Sequence, residues 1–148
     1  MKLGRFFPIL MIVLFLAACG GATEPSGGSS ADPTVEIANP ASVNCTDQGG
    51  TTSIESRPDG GQFGVCYFED NMQCEEWAML RGDCPVGGIR VTGYITQAGR
   101  YCAITGGTYD VTISGDADTE QGNCTLPDGS VCDAQAYYEG TCGLAREE

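Results

Sequence analysis

Eight cysteines in two evenly spaced sets constrain this chain more than any other feature. Cys45, Cys66, Cys74 and Cys84 follow C-x20-C-x7-C-x9-C, and Cys102, Cys124, Cys132 and Cys142 follow C-x21-C-x7-C-x9-C. Other residues travel with them. Gly49-Gly50-Thr51 matches Gly106-Gly107-Thr108, Gly64 matches Gly122, Asp70 matches Asp128, Ala78 matches Ala136 and Gly82 matches Gly140. Two such copies imply an internal duplication. Units of about forty residues rarely bury enough apolar surface to fold unaided, and exported ones use disulfides instead. Thiolates in pairs also hold zinc or iron-sulfur clusters. No two cysteines here form a C-x2-C knuckle, so the reading is a disulfide framework with no metal and no cofactor. A redox enzyme would need a C-x-x-C pair at a helix start, and there is none.

The ninth cysteine belongs to the leader. Lys2 and Arg5 precede an apolar stretch over residues 6–16, the length of a signal-peptide core and short for a membrane span. The stretch ends in Leu16-Ala17-Ala18-Cys19. This resembles the lipobox of bacterial lipoproteins, which implies lipidation of the Cys19 sulfur, cleavage before it and acylation of the new N-terminus. Residues 1–18 would then be signal peptide. Two or three acyl chains hold a protein at a membrane far more firmly than one. No aspartate follows Cys19, which points to the outer membrane in a host that has two, and otherwise to the outer face of the only one. Residues 19–38, rich in Gly, Ser, Pro and Ala, read as a flexible tether.

Charge and composition exclude several functions. The chain of 148 residues carries a formal charge of -13, and its only lysine is Lys2. Such a surface repels phosphate backbones and anionic headgroups, so nucleic acid is not an expected partner. Histidine is absent, which removes serine-histidine and cysteine-histidine catalysis and the commonest metal ligand.

Each copy reads as a small α+β unit. In the first, residues 51–56 and 63–68 are β-prone around the turn Arg57-Pro58-Asp59-Gly60-Gly61, and residues 74–80 read as a short helix that Gly82 stops. Glu75 and Glu76 lie near its positive end. In the second, residues 108–114 and 122–126 flank a turn at 115–119, Pro127-Asp128-Gly129 makes another, and residues 132–138 form the helix. The fold class is therefore disulfide-rich α+β, with two tandem ββα modules at 39–86 and 101–144 joined by a linker at 87–100. Within the bridge, residues 89–96 are strand-like and available to either sheet. A continuous helix would set Cys74 and Cys84 about 15 Å apart. A hairpin that turns near Asp59 also sets Cys45 beside Cys74, and the two arguments together favour Cys45–Cys74 with Cys66–Cys84 and Cys102–Cys132 with Cys124–Cys142, among the three connectivities that four cysteines allow.

Asn39-Pro40-Ala41-Ser42, Gly64-Val65-Cys66, Cys74-Glu75-Glu76-Trp77-Ala78 and Arg81-Gly82-Asp83-Cys84 together resemble a bacterial family of four-cysteine lipoprotein domains classed as of unknown function. Members often carry a hemolysin label. The resemblance covers residues 39–84 well. The second copy has Gln135 at the tryptophan position and lacks the Asn-Pro-Ala-Ser lead-in, so a function tied to that tryptophan would be absent from it. A pore former needs an amphipathic or barrel-forming segment, and nothing after Cys19 reads as one.

Candidate sites are few. Trp77 is read as packing in a small core, with recognition as the alternative. Asp116, Asp118 and Glu120 alternate in a turn that departs from a calcium loop and reads as solvated. Glu75 and Glu76 point in different directions on a helix, a poor acid-base pair. Arg81-Gly82-Asp83 spells an integrin-type tripeptide that chance accounts for. The expectation is a non-enzymatic envelope lipoprotein with structural or interaction modules, held at the membrane by its acyl chains and meeting an envelope protein or polymer. Alternatives are an inhibitor or ligand-binding module presenting the turn at 57–61, and a hydrolase or cytolysin.

Overall fold

Turn chemistry sets the first elements. Arg57-Pro58-Asp59-Gly60-Gly61 cannot continue a strand, and the chain reverses there to pair β1 (Thr51–Ser56) with β2 (Gln62–Tyr67) as an antiparallel hairpin. A computed structural model describes residues 38–143. The segment read as signal peptide, Cys19 and all but the last residue of the segment read as tether lie outside them. Beyond β2 a short 3-10 turn over Glu69–Asn71 leads into β3 (Met72–Glu75), which pairs with β2, and then into α2 (Glu76–Arg81). Ahead of the hairpin stands α1 (Pro40–Asp47), started by proline at its first position and by Asn39, whose Oδ1 accepts from the Ala41 amide at 3.0 Å. β4 (Ile89–Arg90) joins β3 and completes a sheet of order β1-β2-β3-β4. Of the bridge read as strand-like over 89–96, only Ile89–Arg90 forms a strand and adds to the first sheet, and residues 91–96 turn toward the second module.

The second copy repeats the plan. It runs α3 (Gln97–Ile104), β5 (Thr108–Ile113), β6 (Gln121–Thr125), β7 (Val131–Asp133) and α4 (Ala134–Tyr138), with a sheet of order β5-β6-β7. The α+β class and the tandem repetition stand. Each module has an N-terminal helix and a third strand in addition to the ββα core, and α3 begins at Gln97, inside the segment read as linker.

The eight cysteines close four bridges: Cys45–Cys66, Cys74–Cys84, Cys102–Cys124 and Cys132–Cys142. The connectivity argued from helix length is therefore wrong in both modules. Its premise fails because Cys74 lies in β3, ahead of the helix. α2 has only six residues, and Gly82 ends it in the left-handed region at φ 84°. The chain then doubles back and brings Cys84 within 5.9 Å of Cys74, Cα to Cα. Cys66 and Cys74 do face each other across β2 and β3. Each is bonded to a third element instead, α1 in one case and the segment after α2 in the other. In this way one sheet fixes a helix at either end.

The two modules lie in one compact unit. Val65, Val91 and Ile104 form a buried cluster shared between them, flanked by Phe63, Tyr67 and Tyr94. Phe63 of β2 meets Tyr101 of α3 edge-on at 4.9 Å, and Tyr101 also packs on Tyr137 and Tyr138 of α4. Burial there pushes the Tyr101 phenol up to about 12. Beside this cluster the Arg100 guanidinium grips Glu55 with both terminal nitrogens, at 2.7 and 2.8 Å, and donates through Nε to Gln73. Tyr67 adds a hydrogen bond to the same carboxylate.

Hydrogen bonding to Arg100 holds the Glu55 carboxyl below the usual glutamate range. A carboxyl depressed by folding adds stability that is present above its unfolded pKa of about 4.3 and disappears as pH falls through the lower folded value. Arg100→Ala is expected to cost about 1–3 kcal/mol near neutral pH, since it strands a carboxylate whose side chain is 25% exposed. Thermal melts from pH 7 to strongly acid conditions check this: the wild type should lose stability below about pH 4.3 more steeply than Arg100→Ala.

Candidate functional site

The start of α2 decides which side chains reach the surface. Glu75 is its N-cap, and its carboxylate accepts from the Trp77 amide at 3.1 Å and the Ala78 amide at 2.7 Å. Burial raises the Glu75 pKa against those two bonds. With the helix pinned there, Glu76, Ala78 and Met79 turn inward. Trp77 and Leu80 turn outward and are each 41% exposed. The expectation that Trp77 packs into the core is therefore wrong, because the inward position beside it belongs to a glutamate.

Glu76 is only 1% exposed. Its Oε1 accepts from Asn39 Nδ2 and its Oε2 from Ser42 Oγ, both at 2.9 Å. The Asn-Pro-Ala-Ser lead-in thus performs two tasks: Asn39 caps α1 with its oxygen and clamps Glu76 with its nitrogen, and Ser42 completes the clamp one turn later. Gly64 on β2 makes room, since a Cβ there would lie 2.1 Å from Glu76 Cδ. In the second module Thr96, Gly99 and Ala134 stand at the places of Asn39, Ser42 and Glu76. The Tyr109 ring fills the vacated space, so that a Cβ on Gly122 or Gly99 would strike it at 2.4 or 2.7 Å. Tyr109 then donates to Glu120 at 3.0 Å.

Trp77 stands on a ridge between two hollows. The larger is a cleft of about 640 Å³ between the modules, lined by Trp77 and Arg81 of the first and by Thr105, Leu126, Ser130 and Tyr137 of the second. The smaller, about 250 Å³, lies on the other side of the indole against Asn39, Ile54, Phe63 and Glu75. Tyr137 is half-buried at the cleft wall, where burial raises its pKa. A concave site with an aromatic wall and a few polar groups suits binding. The guanidinium at its rim is engaged in local structure, as the Arg81–Asp83 ion pair at 3.0 Å shows.

The remaining sequence candidates do not converge on this site. Asp116 Oδ1 accepts from the Asp118 amide and from Thr119 Oγ1, so it closes its own turn, and Glu120 is taken by Tyr109. Among the described residues no group of three or more carboxylates or cysteines is placed to hold a metal ion, and no helix is long and apolar enough to cross a membrane. The tripeptide at Arg81 folds onto itself through that ion pair. Arg57, the residue the turn at 57–61 would offer a protease, has a side chain only 17% exposed, paired with Asp59 at 3.1 Å. Both side chains lie over Gly140 of the second module. The Arg57 side chain is thereby held against a neighbour, while Pro58, Asp59 and Gly60 at the tip of the turn stay exposed.

The family described as Domain of unknown function (DUF333) matches residues 36–83 and again 95–141. The chain belongs to this family. Its second match takes in α3, where the Thr96 side chain caps the helix by accepting from the Gly99 amide. Relatives include the uncharacterized protein YoaF of Escherichia coli strain K12 and those of Escherichia coli O6:H1 and Shigella flexneri. Each is 34% identical over 79 residues, 53% of this chain and 90% of the relative. No solved structure matches the chain. The motifs quoted for the family resemblance acquire physical roles here: cap, clamp, carboxylate and exposed indole.

The clamp carries a test. Gly64→Ala should cost about 1–3 kcal/mol by overpacking, and Glu76→Ala about 1–3 kcal/mol by removing the two hydrogen bonds that tie α2 to α1 and leaving a gap against Gly64. The double variant should be far more stable than the sum predicts, because truncating the side chain at position 76 frees the space the new methyl needs. Urea unfolding of the four proteins measures the coupling, and additivity would mean the two residues do not contact.

Proposed function

We propose that this member of the DUF333 family is a lipid-anchored protein of the bacterial cell envelope that binds an envelope partner with its two-module head and performs no chemistry. The observation that carries the reading is Trp77, a large aromatic left half-exposed above an open cleft by a helix whose inward positions are otherwise filled. Aromatic side chains held in this way are enriched where proteins recognise partners. Four disulfides within one unit suit an oxidising compartment. The lipobox at Cys19 supplies the anchor, and the Gly/Ser/Pro segment after it supplies reach. In a host with two membranes, the absence of aspartate after Cys19 favours the outer one.

The acidic surface argues against nucleic acid and anionic headgroups as partners. The inhibitor reading loses its bait residue with the packing of Arg57.

Two measurements test the proposal. Cys19→Ser should move the protein from the membrane fraction to the soluble fraction of the envelope, and unchanged fractionation would remove the anchor. Trp77 is the chain's one tryptophan, so its fluorescence reports on the two hollows that it lines. Titration with soluble peptidoglycan fragments and with purified envelope proteins should shift or quench that emission for one partner. Emission unmoved by all of them would contradict recognition at Trp77.

A further inference from the structure

Each of the two sheets ends in a strand paired on one side only. β5 has β6 on one side and nothing on the other among the described residues. Alternate backbone groups of an antiparallel strand point to opposite sides, so half of those along Thr108–Ile113 meet no backbone partner among the described residues. An edge of this kind is a template for another strand, and proteins that must avoid such pairing blunt it with lysine, proline or a bulge. The sequence TYDVTI has neither lysine nor proline. Its register with β6 is regular from Thr108 to Val111 and shifts only between Val111 and Ile113, which leaves a flat edge along the first four residues. The edge strand of the first module, β1, also lacks lysine and proline, but its one carboxylate, Glu55, is already neutralised by the ion pair with Arg100.

Charge selects the occupant. Between Thr105 and Gly143 the chain has seven carboxylates and no lysine or arginine. Asp110 lies on β5 itself, and Asp116, Asp118 and Glu120 lie in the hairpin that follows. A second copy of the chain would set these carboxylates against one another. Among the described residues it has few cations to answer with, because Arg57, Arg81 and Arg100 are ion-paired within the chain and Arg90 alone, donating to the Asp70 carbonyl, has no carboxylate partner. Side chains alternate along the edge. Asp110, in register with Asn123 and through it with Asp133, lies on one face, while Val111, 48% exposed, lies on the other with Gly122. The complementary strand therefore alternates cationic and apolar residues.

We propose that the β5 edge receives an extended segment of another protein, with lysine or arginine at alternate positions and apolar residues between them, as a fourth strand of the second sheet. Backbone pairing supplies affinity and the carboxylates supply selection. This surface is separate from the Trp77 cleft, and its use does not depend on what the cleft binds.

The test uses the full chain in detergent micelles and an acetylated, amidated octapeptide of alternating lysine and valine, followed by amide NMR. Chemical-shift changes should centre on residues 108–113 and 121–125, and the outward amides of β5 should become protected from exchange. Affinity should weaken roughly tenfold between about 0.05 and about 0.5 M salt. The same peptide with alternate backbone nitrogens methylated keeps its charge and loses its hydrogen bonds, so it should not bind. Asp110→Lys, at an exposed position that tolerates charge, should abolish binding while the rest of the spectrum stays in place. Equal binding of the methylated peptide, shifts confined to the Trp77 cleft, or self-association through β5 in place of peptide binding would each overturn the proposal.

Discussion

The bond from each sheet to the helix before it is the constraint on which the rest of the structure depends. In the first module the buried core cluster is Cys45, Cys66, Cys74 and Cys84 with only Ala78 and Met79 added. In the second it is Cys102, Cys124 and Cys132 with Ala98, Leu126 and Ala134. Cores so poor in large apolar side chains release little free energy on burial, a few kcal/mol at best for units of this size. Closing loops with sequence separations of 21 and 10 in one module, and 22 and 10 in the other, removes unfolded-state entropy worth about 2–4 kcal/mol per bridge. Glycine is needed beside the bridges for the same reason. A Cβ at Gly50 would lie 2.3 Å from Cys66 Sγ, and one at Gly107 would lie 2.7 Å from Cys124 Sγ, which accounts for the repeated Gly-Gly-Thr.

Within that shared frame the two copies solve one packing problem differently. The space between the first helix, the second strand and the last helix is filled by a carboxylate with two donors in the first module and by a phenol ring in the second. A buried carboxylate demands its partners, and the second copy, which lacks the carboxylate, also lacks the counterparts of Asn39 and Ser42 while it keeps the glycine at Gly122. The indole next to the carboxylate goes with it, and Gln135 stands in its place. Divergence in packing therefore brings divergence in surface. One module keeps the exposed aromatic, the other keeps the acidic sheet edge, and the aromatic cluster around Tyr101 holds the two surfaces in one body.

Much of this is legible in the sequence where local chemistry decides. The hairpin strands, their turns, the stop at Gly82 and the capping region at Glu75 follow from turn residues and helix-end preferences within a few positions of each other. The first helix of each module escapes such reading. PASVNCTD combines poor helix formers with almost no amphipathic pattern and is held by a bridge and a clamp, and Asn39 before Pro40 is the available signal. The disulfide connectivity fails on one element boundary: placing Cys74 in the helix instead of in β3 excludes the bond that forms. Trp77 is misplaced by assigning the inward position to the largest apolar side chain. A glutamate can hold that position only if two distant donors are present, and such long-range pairs leave no periodicity to read. Neither the Arg100–Glu55 grip nor the role of Tyr109 has a local signature.

The central claim is that each helix is bonded to its own sheet through the pattern first-to-second and third-to-fourth cysteine. Proteolysis of the unreduced, alkylated protein, followed by mass spectrometry of the linked peptides, tests this directly. The account predicts peptides joined as Cys45–Cys66, Cys74–Cys84, Cys102–Cys124 and Cys132–Cys142, with none of these eight thiols alkylated before reduction. Links from Cys45 to Cys74 or from Cys66 to Cys84, or thiols that alkylate without reduction, would contradict it, and with it the placement of α2, Glu76 and Trp77.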